Sequence, residues 1–191
     1  GKAVQTVTPA SGSVTNAMLA GSISNDKLNT IATSILGSGA VLQMVYNIQN
    51  MGNTRSSGSH GSWIDSASTA LSITPSSTSS KIIIGYFNIR GHTNGANRGS
   101  FYSIFRDING GGYSNIGQSG YGLAESASNT GDNESTMITM LTVDEPNTTS
   151  QVNYKAYYKA YNSSGEYYFH HVGYAGSTDM PILKIAMEVA G

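Results

Sequence analysis

Apolar and polar residues alternate along much of the chain, and this period of two is typical of β-strands that bury one face. Residues 152–160 show it most clearly, because Val, Tyr and Ala at the even positions alternate with Asn, Lys and Tyr at the odd ones. This pattern predicts a strand with one packed and one wet face. Residues 101–106 alternate similarly, and residues 183–189, where Lys184 and Glu188 stand between apolar residues, predict a C-terminal strand tied into the sheet.

Two further runs, residues 81–89 and 137–143, carry large apolar side chains at successive positions. A strand that is apolar on both faces must be covered on both. One cover is the facing sheet of a sandwich. We infer that the second cover is a neighbouring subunit.

Turn-forming sequences separate the predicted strands, and the turn at residues 162–165 predicts a hairpin between Tyr161 and Glu166. The predicted strands lie near residues 41–47, 63–73, 81–89, 100–108, 113–123, 135–143, 151–161, 166–174 and 181–190. This many antiparallel strands with few helices predicts an all-β fold, a jelly-roll-like β-sandwich.

The first 39 residues differ from the rest because they contain no aromatic residue. A nine-residue near-repeat begins at Gly12 and again at Gly21, and two such copies are too small to bury their own apolar positions. We therefore divide the chain into an N-terminal anchoring and trimerisation arm, residues 1–39, and a β-sandwich head domain, residues 40–191.

A short amphipathic helix is predicted at the end of the arm, where Leu28, Ile31 and Ile35 recur at helical spacing between Ser24 and Gly37. Three such helices around an axis would close a small seam, so these three residues are the predicted trimerisation contacts. The alternative is a single helix docked on its own domain.

Composition and charge restrict the class of partner. Only 11% of residues are charged and the formal net charge is -1, which favours neither nucleic acid nor an anionic membrane surface. Cys is absent, so disulfides, thiolate metal sites and thiol catalysis are excluded. Apolar runs stay well below the roughly 18 residues that predict membrane insertion.

Candidate catalytic and metal-binding groups are few. Asp144 and Glu145 precede Pro146 in a turn, whereas the carboxylates of a glycosidase face each other across a cleft. His170 and His171 are adjacent on a predicted strand, point to opposite faces and are poorly placed to share one metal ion. We therefore predict no enzyme activity, no metal and no cofactor.

Tyrosine is unusually frequent, with 12 copies against four Phe and one Trp. Tyr113 and Tyr121 flank Gly-rich loops and, together with Trp63, form a candidate ligand surface. Aromatic rings with a hydroxyl group suit sugars, because they give contact area with little loss of entropy. The alternative is that these rings pack between the subunits of a trimer.

Two regions resemble fibre proteins of tailed bacteriophages, especially marine and cyanobacterial ones. Residues 12–28, GSVTNAMLAGSISNDKL, resemble the short repeats of those fibres. The head resembles their C-terminal domain in five phrases that occur in order: Val41-Leu-Gln-Met-Val, Ile73-Thr-Pro-Ser-Ser-Thr-Ser-Ser-Lys-Ile-Ile-Ile, Phe105-Arg-Asp, Val152-Asn-Tyr-Lys and Met187-Glu-Val-Ala-Gly.

The resemblance implies a homotrimeric virion protein, assembled in the host cytoplasm, with a tumour-necrosis-factor-like jelly-roll head. Its arm would dock on other virion proteins of the capsid or tail, and its head would project outward. Three hypotheses follow: a fibre whose head binds host cell-surface glycan, a capsid decoration or cement protein without a receptor, and a surface-glycan depolymerase. The short chain fits a capsid fibre or decoration subunit at least as well as a long tail fibre.

Overall fold

The computed structural model describes residues 37–51, 54–57, 61–66, 69–94, 98–128, 133–161, 166–170 and 180–191, and residues 37–191 form one compact unit. The described residues form β-strands and no helix. The predicted arm helix with Leu28, Ile31 and Ile35 lies outside them. The strands are β1 (Val41–Met51), β2 (Thr54–Ser57), β3 (Ile64–Asp65), β4 (Leu71–Ile73), β5 (Lys81–Asn94), β6 (Arg98–Ile108), β7 (Ser114–Asn115), β8 (Ala124–Ser128), β9 (Asn133–Asp144), β10 (Val152–Ala160), β11 (Glu166–His170) and β12 (Met180–Val189).

The strands pair into two antiparallel sheets, as predicted for an all-β sandwich. In the first sheet β5 pairs with β9 along one edge and with β12 and then β11 along the other, while β1 pairs with β12 and β2 with β11. In the second sheet β10 pairs with β6 along one edge and with β3 and β4 along the other, and β7 and β8 pair with the free edge of β6.

The core consists of the apolar side chains that the two sheets share. Residues 152–160 confirm the predicted alternation, since every even position is buried and every odd position is half-buried. The first sheet contributes Ile82, Ile84, Tyr86, Ile138, Met140, Ile182 and Ala186, and the second contributes Tyr102, Ile104, Val152, Tyr154, Ala156 and Tyr158.

Two predicted strands are broken. Residues 63–73 contain β3 and β4 as separate pieces, because the hydroxyl groups of Ser66 and Thr69 bind the backbone of Ala156 between them. Residues 113–123 contain only β7, followed by a turn in which Gln118 and Gly122 exchange backbone hydrogen bonds.

The hairpin predicted between Tyr161 and Glu166 is wrong, because β10 and β11 belong to different sheets. Both edges of β10 are occupied by other strands, whereas β11 pairs with β5 and β2. Turn-forming residues indicate that the chain reverses, and the sheet that the next strand joins depends on distant partners.

Polar residues occupy the buried side of β12. Lys184 and Glu188 are buried, while Leu183, Ile185, Met187 and Val189 lie half-buried on the opposite side. The Glu188 carboxylate accepts hydrogen bonds from Gln43 Nε2 at 2.5 Å, Ser80 Oγ at 2.6 Å, and Ser76 N and Oγ at 2.7 Å each. Lys184 Nζ donates to Gln49 Oε1 at 2.7 Å. Both charges are buried with hydrogen-bond partners, which burial of charge requires.

Candidate functional site

The outer face of the first sheet is apolar across four strands, and we call it the apolar face. Its three central cross-strand rows carry no charged residue. These rows are Met44, Met187, Ile83 and Val143; then Tyr46, Ile185, Gly85 and Leu141; then Ile48, Leu183 and Phe87. The side chains of β1 and β9 in these rows are more than half exposed.

Gly85 lies at the centre of the apolar face, under its neighbours. A Cβ atom there would lie 2.7 Å from the Phe87 ring and 3.1 Å from the Leu141 side chain. The absence of a side chain at Gly85 lets these two residues pack over the middle of the sheet. The apolar face is therefore a continuous surface.

The outer face of the second sheet carries a different surface, which we call the aromatic layer. Phe105 and Tyr157 stack with their ring centroids 4.0 Å apart, and the Trp63 ring meets Phe105 edge-on at 5.6 Å. The Tyr113 ring also packs against Tyr157, with the two ring centroids 6.0 Å apart. This layer covers the face of β10 that was predicted to be wet, which explains why its odd positions are only half exposed.

Two lysines of β10 lie within the aromatic layer. Lys155 Nζ lies 4.9 Å from the Tyr113 ring centroid and 2.8 Å from Asp65 Oδ2. The hydrogen bond to Asp65 raises the pKa of Lys155. Lys159 Nζ lies 4.8 Å from the Trp63 ring and 5.5 Å from the Phe101 ring, and it donates a hydrogen bond to the Gly120 carbonyl. Both ammonium groups are thus held against aromatic faces.

A groove of about 410 Å³ opens at one end of the aromatic layer, and we call it the tyrosine groove. Phe101 lies beneath it, with the Tyr121 ring 5.2 Å and the Tyr161 ring 5.6 Å from the Phe101 ring. Both tyrosines are more than half exposed, while Phe101 is buried. The lining is completed by Gly61, Gly120, Lys159 and Ala160.

The loop before β8 holds the wall of the groove. Trp63 Nε1 donates to the Ser119 carbonyl at 3.4 Å, and Tyr121 N donates to the side chain of Gln118. Gly122 has a φ of 71°, in the left-handed region. A Cβ atom on Gly122 would lie 2.3 Å from the Tyr102 carbonyl and 2.8 Å from the Trp63 ring.

Replacing Gly122 with alanine is expected to displace Trp63 and to destabilise the head by more than about 1 kcal/mol, because the change adds both strain and crowding. The fluorescence of Trp63, the single tryptophan, measures the displacement. Gly110→Ala is the matched control, since Gly110 also has a positive φ of 80° but open space around it. An unchanged emission spectrum for Gly122→Ala would contradict the packing described.

The three residues of the predicted ligand surface lie on this one face. Tyr121 lines the groove, and Trp63 lies behind the lining, against Lys159 and the Ser119 carbonyl. Tyr113 instead packs beside Lys155 in the aromatic layer. Phe101, Lys159 and Tyr161 were not predicted as site residues from the sequence. For Lys159 and Tyr161, the signal in the sequence was their position on the polar side of the same predicted strand.

The remaining chemical candidates are engaged in structural contacts. Arg106 Nη1 lies 2.7 Å from Asp144 Oδ1, and Lys81 Nζ lies 2.9 Å from Glu145 Oε1. His170 Nδ1 accepts a hydrogen bond from Arg90 N at 3.2 Å, while His171 lies outside the described residues. Among the described residues, no group of three His, Asp or Glu side chains is placed to hold a metal ion, and no helix is long and apolar enough to cross a membrane.

No protein-family model matches the sequence, and no curated protein is similar to it. Among solved structures, a chain from a structure of infectious bursal disease virus, Gx strain, is similar at a TM-score of 0.32 and 11% sequence identity. The similarity covers 78% of this chain and 37% of the viral chain. A likeness at this level identifies neither a family nor a function.

Proposed function

We propose that this chain is a non-enzymatic structural subunit of a tailed-bacteriophage particle, a homotrimeric fibre whose head binds host cell-surface glycan. The arm, residues 1–39, would attach it to other virion proteins. The phage assignment rests on the sequence resemblance of the arm and head. The observation that supports assembly into a homotrimer is the apolar face.

The apolar face groups five large side chains, each more than half exposed, in adjacent cross-strand rows of one sheet: Met44, Tyr46, Ile48, Leu141 and Val143. Monomeric proteins rarely expose contiguous apolar patches beyond a few hundred Å², and larger ones mark contact sites. Because the central rows carry no charge, they offer no electrostatic complement to a charged partner. The partner that matches this chemistry is another copy of the chain, which presents the same apolar face. The resemblance to trimeric phage fibres favours three copies.

The strand order supports a jelly-roll head. We count β1 with β2, β3 with β4, β7 with β8 and β11 with β12 as one strand each, which leaves eight strands in chain order. The first sheet then has the order 1-8-3-6 and the second has the order 2-7-4-5. Jelly rolls have eight strands in two such sheets, formed by wrapping a long hairpin in which strands 1 and 8, 2 and 7, 3 and 6, and 4 and 5 are paired.

Light scattering tests the assembly. We expect the intact chain to have a mass near three times 20.0 kDa, and Leu141→Glu to reduce it to near 20.0 kDa because a carboxylate would be buried in the apolar contact. Tyr121→Glu is the matched control, since Tyr121 is similarly exposed but lies in the turn before β8, beside the second sheet. Circular dichroism checks that each variant keeps its strands.

The outcomes separate the proposals. A monomeric intact chain would contradict the trimer and leave the apolar face unexplained. A trimer that survives deletion of residues 1–39 would place assembly in the sandwich, whereas its loss would support the predicted seam of Leu28, Ile31 and Ile35. Adsorption blocking by the purified trimer distinguishes a receptor-binding fibre from a decoration protein without a receptor.

The depolymerase hypothesis has less support. It requires two carboxylates facing one groove, whereas the described lining of the tyrosine groove contains none. Asp144 and Glu145 contact Arg106 and Lys81 instead. An assay for release of sugar from host envelope polysaccharide tests it, and we expect no release.

A further inference from the structure

The shape of the tyrosine groove suits a sugar ring. A pyranose presents an apolar C–H face and a rim of hydroxyl groups, and it needs aromatic surface with a few polar groups around it. Tyr121 and Tyr161 supply exposed rings with hydroxyl groups, braced from below by Phe101. The volume of about 410 Å³ is in the range of small-molecule sites, so the groove has room for one or two rings.

The charge in the groove is positive. Lys159 lines it, and within the described residues no carboxylate forms an ion pair with Lys159. Lys155, four residues earlier on the same face of β10, is paired with Asp65. The Lys159 ammonium donates to the Gly120 carbonyl and has two further N–H groups, since an ammonium has three. It is a fixed cation that retains donors for an anion.

A carboxylate stands opposite Lys159. In the cross-strand row that runs over β10, β6 and β8, Phe101 is flanked by Lys159 on one side and by the exposed Glu125 on the other. Glu125 is not part of the lining, so a ligand above Phe101 meets the positive charge of Lys159 within the groove and a carboxylate only beyond it, on the β8 side. An acidic group would turn toward Lys159 and hydroxyl donors toward Glu125.

We infer that the tyrosine groove binds a carboxylate-bearing hexopyranose, a uronic acid residue of an envelope polysaccharide, with its carboxylate on Lys159. The inference rests on the proposed glycan-binding function of the head and names the class of sugar. The ring lies between Tyr121 and Tyr161, and the acid accounts for the unpaired lysine in the groove.

Calorimetric titration of the intact chain with uronate trisaccharides tests the inference, using galacturonate, mannuronate and guluronate oligomers. Their methyl esters serve as uncharged controls of the same stereochemistry. We expect at least one acid to bind, and its ester to bind about tenfold more weakly, because a hydrogen bond to a charged group is lost. Tyr161→Ala should abolish the binding of both.

Two lysine variants form the matched pair. Lys159→Met keeps the apolar stem and should weaken binding of the acid about tenfold without changing binding of the ester. Lys155→Met lies on the same strand and face and should change neither by more than about twofold. Lys159→Arg keeps the charge and should retain most of the affinity, which separates loss of charge from a shift of the loop at Gly120.

Equal binding of acid and ester, or an equal effect of the two lysine variants, would overturn the assignment to an acidic sugar. Absence of binding for the whole panel would overturn it as well. Light scattering on the same samples keeps the two proposals apart: a trimer that binds no uronate refutes this inference alone, and a monomer refutes the proposed assembly.

Discussion

Glu188→Ala is expected to lower the free energy of unfolding by about 2 kcal/mol, because it removes the buried acceptor of four hydrogen bonds and leaves the buried Ser80 hydroxyl without its partner. Those donors come from Gln43, Ser76 and Ser80, so Glu188 joins β12 to β1 and to the loop before β5. Urea denaturation at one fixed protein concentration measures the change, since unfolding of an oligomer depends on concentration.

The control is Glu145→Ala. Glu145 is exposed and pairs with an exposed lysine, Lys81, so its removal should cost less than about 0.5 kcal/mol. A similar loss for the two variants would show that the hydrogen bonds to Glu188 contribute nothing particular to the fold.

The same residue makes stability depend on pH. Burial raises the pKa of Glu188, but the hydrogen bonds from Ser80, Gln43 and Ser76 outweigh it, and the pKa lies below its ordinary value of 4.5. A carboxyl with a lower pKa in the folded state stabilises the fold above the unfolded pKa, and this contribution is lost as the pH falls through the folded pKa. Glu188→Gln should therefore lose less stability than the natural chain below pH 4.5. Parallel pH profiles would exclude Glu188 as the titrating group.

Glu188 also shows where sequence analysis reaches its limit. The alternation along residues 183–189 correctly indicates a strand with two unlike faces. Alternation alone does not say which face is buried, because a polar face enters the core when distant groups satisfy it. Here the donors lie 108 to 145 residues earlier in the chain. The period of a local pattern can be read from the sequence, whereas the hydrogen-bond partners of Glu188 depend on which strands lie side by side in the fold.

The candidate site was predictable to a similar degree. Trp63 and Tyr121 were identified because aromatic residues beside Gly-rich turns stand at the surface. Tyr113 has the same local signature but packs at the other end of the aromatic layer. Its distance from Tyr121 is set by the register of β6 against β7 and β8, which no local pattern contains. Lys155 and Lys159 have the same local pattern in the sequence, and they differ only in the folded chain, where Lys155 pairs with Asp65 and Lys159 lines the groove.

The two outer faces of the sandwich have opposite chemistry. The first sheet presents the apolar face, and the second presents aromatic rings with lysines and a groove. If copies associate through the first sheet, the second sheet of each copy points away from the contact. Binding at the tyrosine groove would then leave the assembly unaffected, and three grooves on one trimer would raise the avidity for a repetitive polysaccharide.

Asp144→Ala is expected to destabilise the head by about 2 to 4 kcal/mol, because it leaves a largely buried cation and a buried phenol without their partner. Arg106 Nη1 lies 2.7 Å from Asp144 Oδ1, and the Tyr154 hydroxyl donates to Oδ2 at 2.7 Å. Asp144 belongs to β9 and its partners to β6 and β10, so the contact connects the two sheets. Asp65→Ala is the control, because the Lys155–Asp65 pair is more exposed and should cost less than about 1 kcal/mol.

A double-mutant cycle identifies the origin of the loss. In the Asp144→Ala chain, Arg106 is a largely buried cation without its partner, and Arg106→Met removes that cation. The loss of stability caused by Arg106→Met should therefore be smaller in this chain than in the natural chain, by about 1 kcal/mol or more. Because Arg106 keeps about a quarter of its side chain exposed, water screens part of the pair and the coupling stays below that of a fully buried one. Denaturation curves of the four chains give the coupling energy. Simple additivity would mean that the Arg106–Asp144 ion pair does not help to hold the two sheets together.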